Sequence, residues 1–133
     1  MLIKIIAVAL GGAIGALARY GIALAAERYA GLFPVGTFAA NAIGCLAIGV
    51  VMWFVFGRPE ASPDTQPMAD SWRLFLAVGL LGSLTTFSTF AYESMGLMQE
   101  GKAIEAFVYV AASLGIGIGA VALGWYATRV LAA

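Results

Sequence analysis

An all-α membrane protein with four spanning helices is the fold class that this sequence predicts, and three observations carry it. Hydrophobic residues fill 62% of the 133 positions and charged residues only 11%, which is more apolar surface than a globule of this size can hide. The apolar residues gather into four stretches, each long enough for a bilayer core, which takes about 20 helical residues. Glycine occurs 17 times, largely inside those stretches, a composition that suits close helix packing in lipid.

The first predicted helix covers residues 2–26 and contains Arg19. Its start imitates a secretory leader, with Lys4, an apolar run and the small pair Ala16 and Ala18. Apolar character resumes beyond Arg19 and Tyr20, however, and three more stretches follow, so an uncleaved span is expected. The second helix covers 34–56 and holds no charge. Pro34 opens it, at a position where a missing N–H costs nothing. The third covers 72–98 and carries Glu93; the fourth covers 103–131. Residues 57–71 hold Pro59, Pro63 and Pro67 among Glu60, Asp64 and Asp70, and read as a polar, solvated loop. Residues 1–133 are thus expected to form a single four-helix transmembrane domain.

Several function classes drop out at this level. Net charge is zero, so nothing suggests a nucleic-acid partner or an acidic tail. There is no histidine, and Cys45 is the single cysteine. A disulfide framework and a Cys/His metal cluster of ordinary spacing are both excluded. Imidazole acid–base chemistry goes with them, and an enzyme is not expected.

Orientation is weakly specified. With four crossings, one side of the bilayer holds Lys4, Arg58, Arg73 and Arg129, and the other holds Arg28 and Lys102, with Arg19 if it snorkels that way. The positive-inside rule needs an excess of Lys and Arg, and here the excess is small. Insertion in both directions, and with it an antiparallel dimer, is therefore open.

The residues suited to chemistry lie in all four spans. Gly11, Gly12, Gly15 and Ala16 form a small-residue surface, and Arg19 follows on that face. An arginine there either faces protein or water with a role, or snorkels to the interface. Thr37, Asn41 and Gly44 share a face of the second helix by their i, i+4, i+7 spacing. Asn41 is the only asparagine, and its amide needs partners out of water, from a neighbouring helix or from an ion. In the third span Gly79 and Gly82 precede five hydroxyl residues, Ser83, Thr85, Thr86, Ser88 and Thr89. Such a run is a poor helix former. A break at membrane depth is tolerated where it is buried in protein or lines a wet cavity. Freed carbonyls there can hold a cation, and freed N–H groups and hydroxyls an anion. The alternative is an intact helix whose hydroxyls bond back to the i−4 carbonyls. Phe87 and Phe90 are neighbours on one helical face. Their positive ring edges can partner a small anion without trapping it. Glu93 is an intramembrane acid one turn further on, a site residue by default or a vestibule or structural group. In the fourth helix Tyr109 and Ser113, at i and i+4, could extend a polar track.

With these residues in order, the chain resembles the CrcB/Fluc fluoride channels. The likeness runs through Gly11-Gly12-Ala13-Ile14-Gly15-Ala16-Leu17-Ala18-Arg19-Tyr20, then Gly36-Thr37 to Asn41 and Gly44, then Gly82-Ser83-Leu84-Thr85-Thr86-Phe87-Ser88-Thr89-Phe90 followed by Glu93. It covers essentially the whole chain. The resemblance implies passive, fluoride-selective export across the inner membrane by a multi-pass, antiparallel, dual-topology homodimer with two pores. It implies a break in the third helix and a structural sodium ion (Na+) held there by backbone carbonyls of Gly82 and Thr85. It carries the pore onto Asn41, Phe87 and Phe90, and the hydroxyl track onto Ser88, Thr89, Tyr109 and Ser113. Thr37 and Arg19 match positions near the pore mouth, and Glu93 matches an acid beside the permeation path. One departure is visible: Gly117 stands where the family's track often continues with another hydroxyl.

Two other readings compete. A small proton-coupled multidrug or cation exporter would also be a four-helix dual-topology dimer, and would need Glu93 as its central acid. A membrane assembly subunit would use its glycines for packing only and would tolerate changes at Asn41, Phe87 and Phe90. No nucleotide-binding motif appears in the sequence, which argues against primary pumping.

Overall fold

In a computed structural model the described residues are 1–29, 33–57 and 67–132. Four helices among them are long and apolar enough to cross a membrane: Leu2–Ala26, Val35–Phe56, Asp70–Gln99 and Ala103–Leu131. Helix α1 (Leu2–Ala26) runs into one tighter turn, Glu27–Tyr29. Helix α2 (Val35–Met52) starts behind Pro34 and loosens into a wider turn over Trp53–Gly57.

Helical backbone reaches into both edges of the polar loop expected over 57–71. Gly57 still closes the wide turn of α2, and Pro67–Arg73 is already helical. Proline suits the first turn of a helix, and Asp70 reaches the Lys4 ammonium at 2.9 Å, which ties this start to α1. The pair is solvent-exposed, so it orients more than it stabilises. Residues 58–66, including Arg58, Pro59, Glu60, Pro63 and Asp64, lie outside the described residues.

Helix α3 comprises Pro67–Arg73, then Leu74–Leu81, whose turns are widened by one residue, then Gly82–Leu84. Thr85 (φ −81°, ψ 150°) and Thr86 (φ −147°, ψ 114°) are extended. Helix α4 (Phe87–Gln99) follows directly, capped by Thr86 Oγ1, which accepts from the Thr89 N–H. At its far end Gly101 takes φ +76°. Gly101 N–H then reaches the Met98 carbonyl and Lys102 N–H the Leu97 carbonyl, at 3.1 and 2.9 Å. This is the six-to-one, five-to-two pattern that lets a helix stop in a glycine and the chain reverse. Helix α5 (Ala103–Leu131) then follows as the last of the membrane-length helices.

Backbone proximity organises the packing. Lipid tails are as apolar as leucine, so helices associate in a membrane through close van der Waals fit rather than by escaping water. Helix α1 lies along Leu74–Leu81 and α2 lies along α5. In the first seam a side-chain carbon at Gly11 would strike the Phe75 carbonyl, and one at Gly15 the Leu80 carbonyl. In the second, Gly49 faces the Val121 carbonyl and Gly124 faces the Leu46 carbonyl with no room for a Cβ. The side-chain core is small by comparison: Phe90, Leu97, Ala106 and Tyr109, with Phe33, Phe38 and Val110 against them. Large apolar residues elsewhere, among them Leu10, Leu17, Phe87, Leu114 and Ile118, point outward.

Candidate functional site

The extended pair Thr85–Thr86 interrupts a span that is otherwise helical from Asp70 to Gln99. Backbone at that depth must find partners inside the protein, and α2 supplies them. Asn41 Oδ1 accepts from the Thr86 N–H at 2.8 Å, and Asn41 Nδ2 donates to the Thr86 carbonyl at 3.3 Å. One turn on, Gly44 leaves space that the Thr85 methyl fills. One turn earlier, Thr37 Oγ1 donates to Glu93 Oε1 at 2.7 Å. The face of α2 marked by Thr37, Asn41 and Gly44 is thus the face that meets this segment.

Thr86 is the hub, and it is a residue that sequence reasoning left out of the site. Its side chain is buried, at 6% exposure. Its hydroxyl lies 3.3 Å from Ser88 Oγ and 3.0 Å from Thr89 Oγ1, and also caps α4. The available signal was a threonine directly before a resumed helix, where hydroxyls are favoured as caps. Thr86→Val is expected to cost about 1 kcal/mol through the lost cap, read as a lower melting temperature of the purified protein. An unchanged melting temperature would remove Thr86 from this role.

Beside the hub lies an open cavity of about 440 Å³ between α2, α3 and α5. Asn41, Gly82, Thr85, Thr86, Phe87, Phe90 and Ser113 all line it, with Cys45 and Gly117 deeper along α2 and α5. Its walls are mainly apolar, and Ser113 Oγ is buried there with no hydrogen-bond partner among the described residues. Buried hydroxyls are normally paired, so Ser113 Oγ is a polar group still open to whatever enters the cavity. Phe87 is 77% exposed and Phe90 only 8%. Their rings lie 5.7 Å apart, and Phe90 sits 5.2 Å from Tyr109.

A wider cleft of about 710 Å³ opens at the other end of this region, lined by Thr37, Glu93, Glu27, Glu100 and Lys102. Glu93 is held from two sides, by Thr37 and by the Tyr109 hydroxyl, which donates to Oε2 at 2.8 Å. Tyr109 is fully buried. The i, i+4 spacing of Tyr109 and Ser113 suggests one continuous track, but Tyr109 turns its hydroxyl to Glu93 whereas Ser113 faces the first cavity. Ser88 joins through Thr86 but is exposed, and Thr89 is half-buried. Arg19 lines neither cavity and makes no hydrogen bond or ion pair among the described residues; it is half-buried on α1.

The carbonyls of Gly82 and Thr85 meet the demands of a cation site in one respect. In a continuous helix they would accept from the N–H groups four residues on. Here Thr86 N–H goes to Asn41 and Thr89 N–H to Thr86 Oγ1, at 2.8 and 3.3 Å. Both carbonyls have lost their helical donors. The donor set is oxygen only, which suits a hard cation such as sodium.

Residues 6–125 match a family model described as CrcB-like protein, Camphor Resistance (CrcB). The chain is 48% identical over 122 residues to a protein of Desulfotalea psychrophila, covering 92% of this chain and 89% of that one. It is 46% identical over 122 residues to a protein of Chloroflexus aurantiacus, covering 91% of each. A protein of Rhizobium etli is 40% identical over 132 residues, 98% of this chain and all of that one. Each of the three carries the name fluoride-specific ion channel FluC.

Proposed function

Since the chain belongs to the CrcB family, we propose that it is a fluoride-selective channel through which fluoride leaves the cytoplasm passively across the inner membrane. The observation that carries the reading is the unpartnered Ser113 hydroxyl in a cavity shared with Asn41, Phe87 and Phe90. Fluoride is small and strongly hydrated, so a pore must replace its water with several donors at once. It must also hold the ion weakly enough to let go. Ser113 offers an O–H. Asn41 offers the Nδ2 proton that Thr86 leaves free, and the phenylalanine edges offer weak positive potential. Among the described residues no fixed cation lines that cavity to trap an anion.

The remaining residues extend the pathway. Thr37 and Tyr109 both aim hydroxyls at the Glu93 carboxylate, a pair of donors converging where one compact anionic group sits. An ion passing the wider cleft competes with Glu93 for those two donors. Ser88 and Thr89 keep further hydroxyls next to Thr86, whereas Arg19, which lines neither cavity, is matched to the mouth by the family resemblance alone. The working form is an antiparallel, dual-topology homodimer with two pores, and the open face of the cavity belongs against the second copy. Gly82 and Thr85 would hold a sodium ion through their carbonyls, where it would supply positive charge and tie the extended segments together.

The proton-coupled exporter is less well supported. Such a mechanism needs an acid at the centre of the bundle, whereas Glu93 lines the cleft and has both oxygens engaged. The test is efflux from liposomes containing the purified protein, followed with a fluoride electrode and repeated with chloride. Fluoride efflux far above that of protein-free vesicles, with little chloride efflux, is expected. Fluoride efflux at the protein-free rate from folded dimer would end this reading.

A further inference from the structure

We propose that Asn41 is a positioning residue for the cation carbonyls: by taking both backbone polar groups of Thr86, it keeps the Gly82 carbonyl out of the helical ladder. The inference rests on the family reading through its sodium ion, and assigns Asn41 a task separate from facing fluoride.

The argument starts from two neighbouring carbonyls that receive opposite treatment. Leu81 accepts twice, from Thr85 N–H at 3.0 Å and from Thr85 Oγ1 at 2.9 Å. Gly82, the next residue, loses the donor a helix would bring it, because Thr86 N–H is held by Asn41 Oδ1 at 2.8 Å. An asparagine serving only to join two helices would need one hydrogen bond to any available group. Asn41 instead grips the N–H and the C=O of a single extended residue, as a neighbouring strand would. Without that grip the extended residue would have two unpaired polar groups in the membrane, and the cheapest repair is to close the helix onto Gly82. Gly44 completes the seat: the Thr85 methyl occupies the place of its missing side chain, so α2 touches both extended residues. Thr86 does the equivalent for the Thr85 carbonyl, by drawing Thr89 N–H onto its own hydroxyl. One amide thereby couples a cation site to the anion cavity it also lines.

The experiment compares wild type, Asn41→Ala, Asn41→Ser and Ser113→Ala as purified full-length protein. Melting temperature is followed as sodium replaces N-methylglucamine, and amide hydrogen exchange is measured over residues 83–88. Wild type and Ser113→Ala are expected to share one sodium midpoint. Both Asn41 variants should need on the order of ten times more sodium (about 1.4 kcal/mol by the usual conversion) and should show altered exchange in that segment. Serine is included because its short hydroxyl cannot span both Thr86 groups yet keeps a small polar residue in the helix. Sodium midpoints within twofold of wild type, with unaltered exchange, would overturn the proposal even if fluoride efflux is lost. A wild type indifferent to sodium would overturn the cation role itself, and exchange that is also unaltered in the Asn41 variants would overturn the grip on Thr86.

Discussion

Phe90→Ile is expected to reduce fluoride efflux from proteoliposomes on the order of 100-fold while the protein still folds. Phe90 is buried at the edge of the cavity and touches two other rings, Phe87 and Tyr109. Isoleucine is apolar and fills much of the volume, so the core around Leu97 and Ala106 keeps a packing partner. What disappears is the aromatic edge. Two ring contacts, each worth about 0.5–1.5 kcal/mol, go with it, as does the positive ring edge that the proposed pore would present to an anion. A barrier raised by about 2.7 kcal/mol slows passage roughly 100-fold. Efflux from the variant within twofold of wild type would show that Phe90 only packs, and would take it out of the proposed permeation path.

The second large effect is expected in the α2–α5 seam. A side chain at Gly124 would begin inside the Leu46 carbonyl and 3.1 Å from the Val50 nitrogen. Backbone cannot swing away as a flexible side chain can, so Gly124→Val must part the two helices. Overpacking costs about 1–3 kcal/mol where neighbours can adjust, and the upper end applies here because both obstacles are main chain. The variant should melt well below wild type and lose fluoride efflux with its fold. Gly21→Ala is the control: no atom lies within 4 Å of a Cβ there, and alanine is the better helix former. If Gly124→Val melts with the control, the seam does not hold the pair together.

How far these features could be read in advance depended on whether they were local. The four spans follow from hydropathy, a property of each stretch alone, and Leu2–Ala26 and Ala103–Leu131 show it directly. The start of α3 was harder, because Pro67 and Asp70 have the composition of a loop. Proline at a first turn and an acid with a lysine partner on another helix read the same way until that partner is placed. Thr86 was missed for a similar reason. Its importance comes from Asn41, 45 positions away, and the capping signal it carries is legible only once the place where the helix resumes is known. Tyr109 was assigned to one track with Ser113 on spacing that is sound for a helix. Spacing gives the face and not the rotamer, and Glu93 draws the phenol elsewhere. The widened turns of Leu74–Leu81 have no sequence mark at all: every residue there is apolar or glycine.

The glycine seams have a mechanical consequence. Where main chain lies on main chain there are no rotamers to freeze and none to adapt, so each seam acts as a keyway. Sliding α5 by one residue along α2 would drive a side-chain carbon into a carbonyl at Gly49 or Gly124, and the same holds for α1 at Gly11 and Gly15. The helices are therefore indexed against each other and do not ratchet. In the proposed channel, movement that accompanies a passing ion would be left to exposed side chains set in this frame, such as Phe87. Side-chain motion of that kind takes picoseconds to nanoseconds, against microseconds or longer for helices in motion. The frame keeps its gauge while the traffic moves through it.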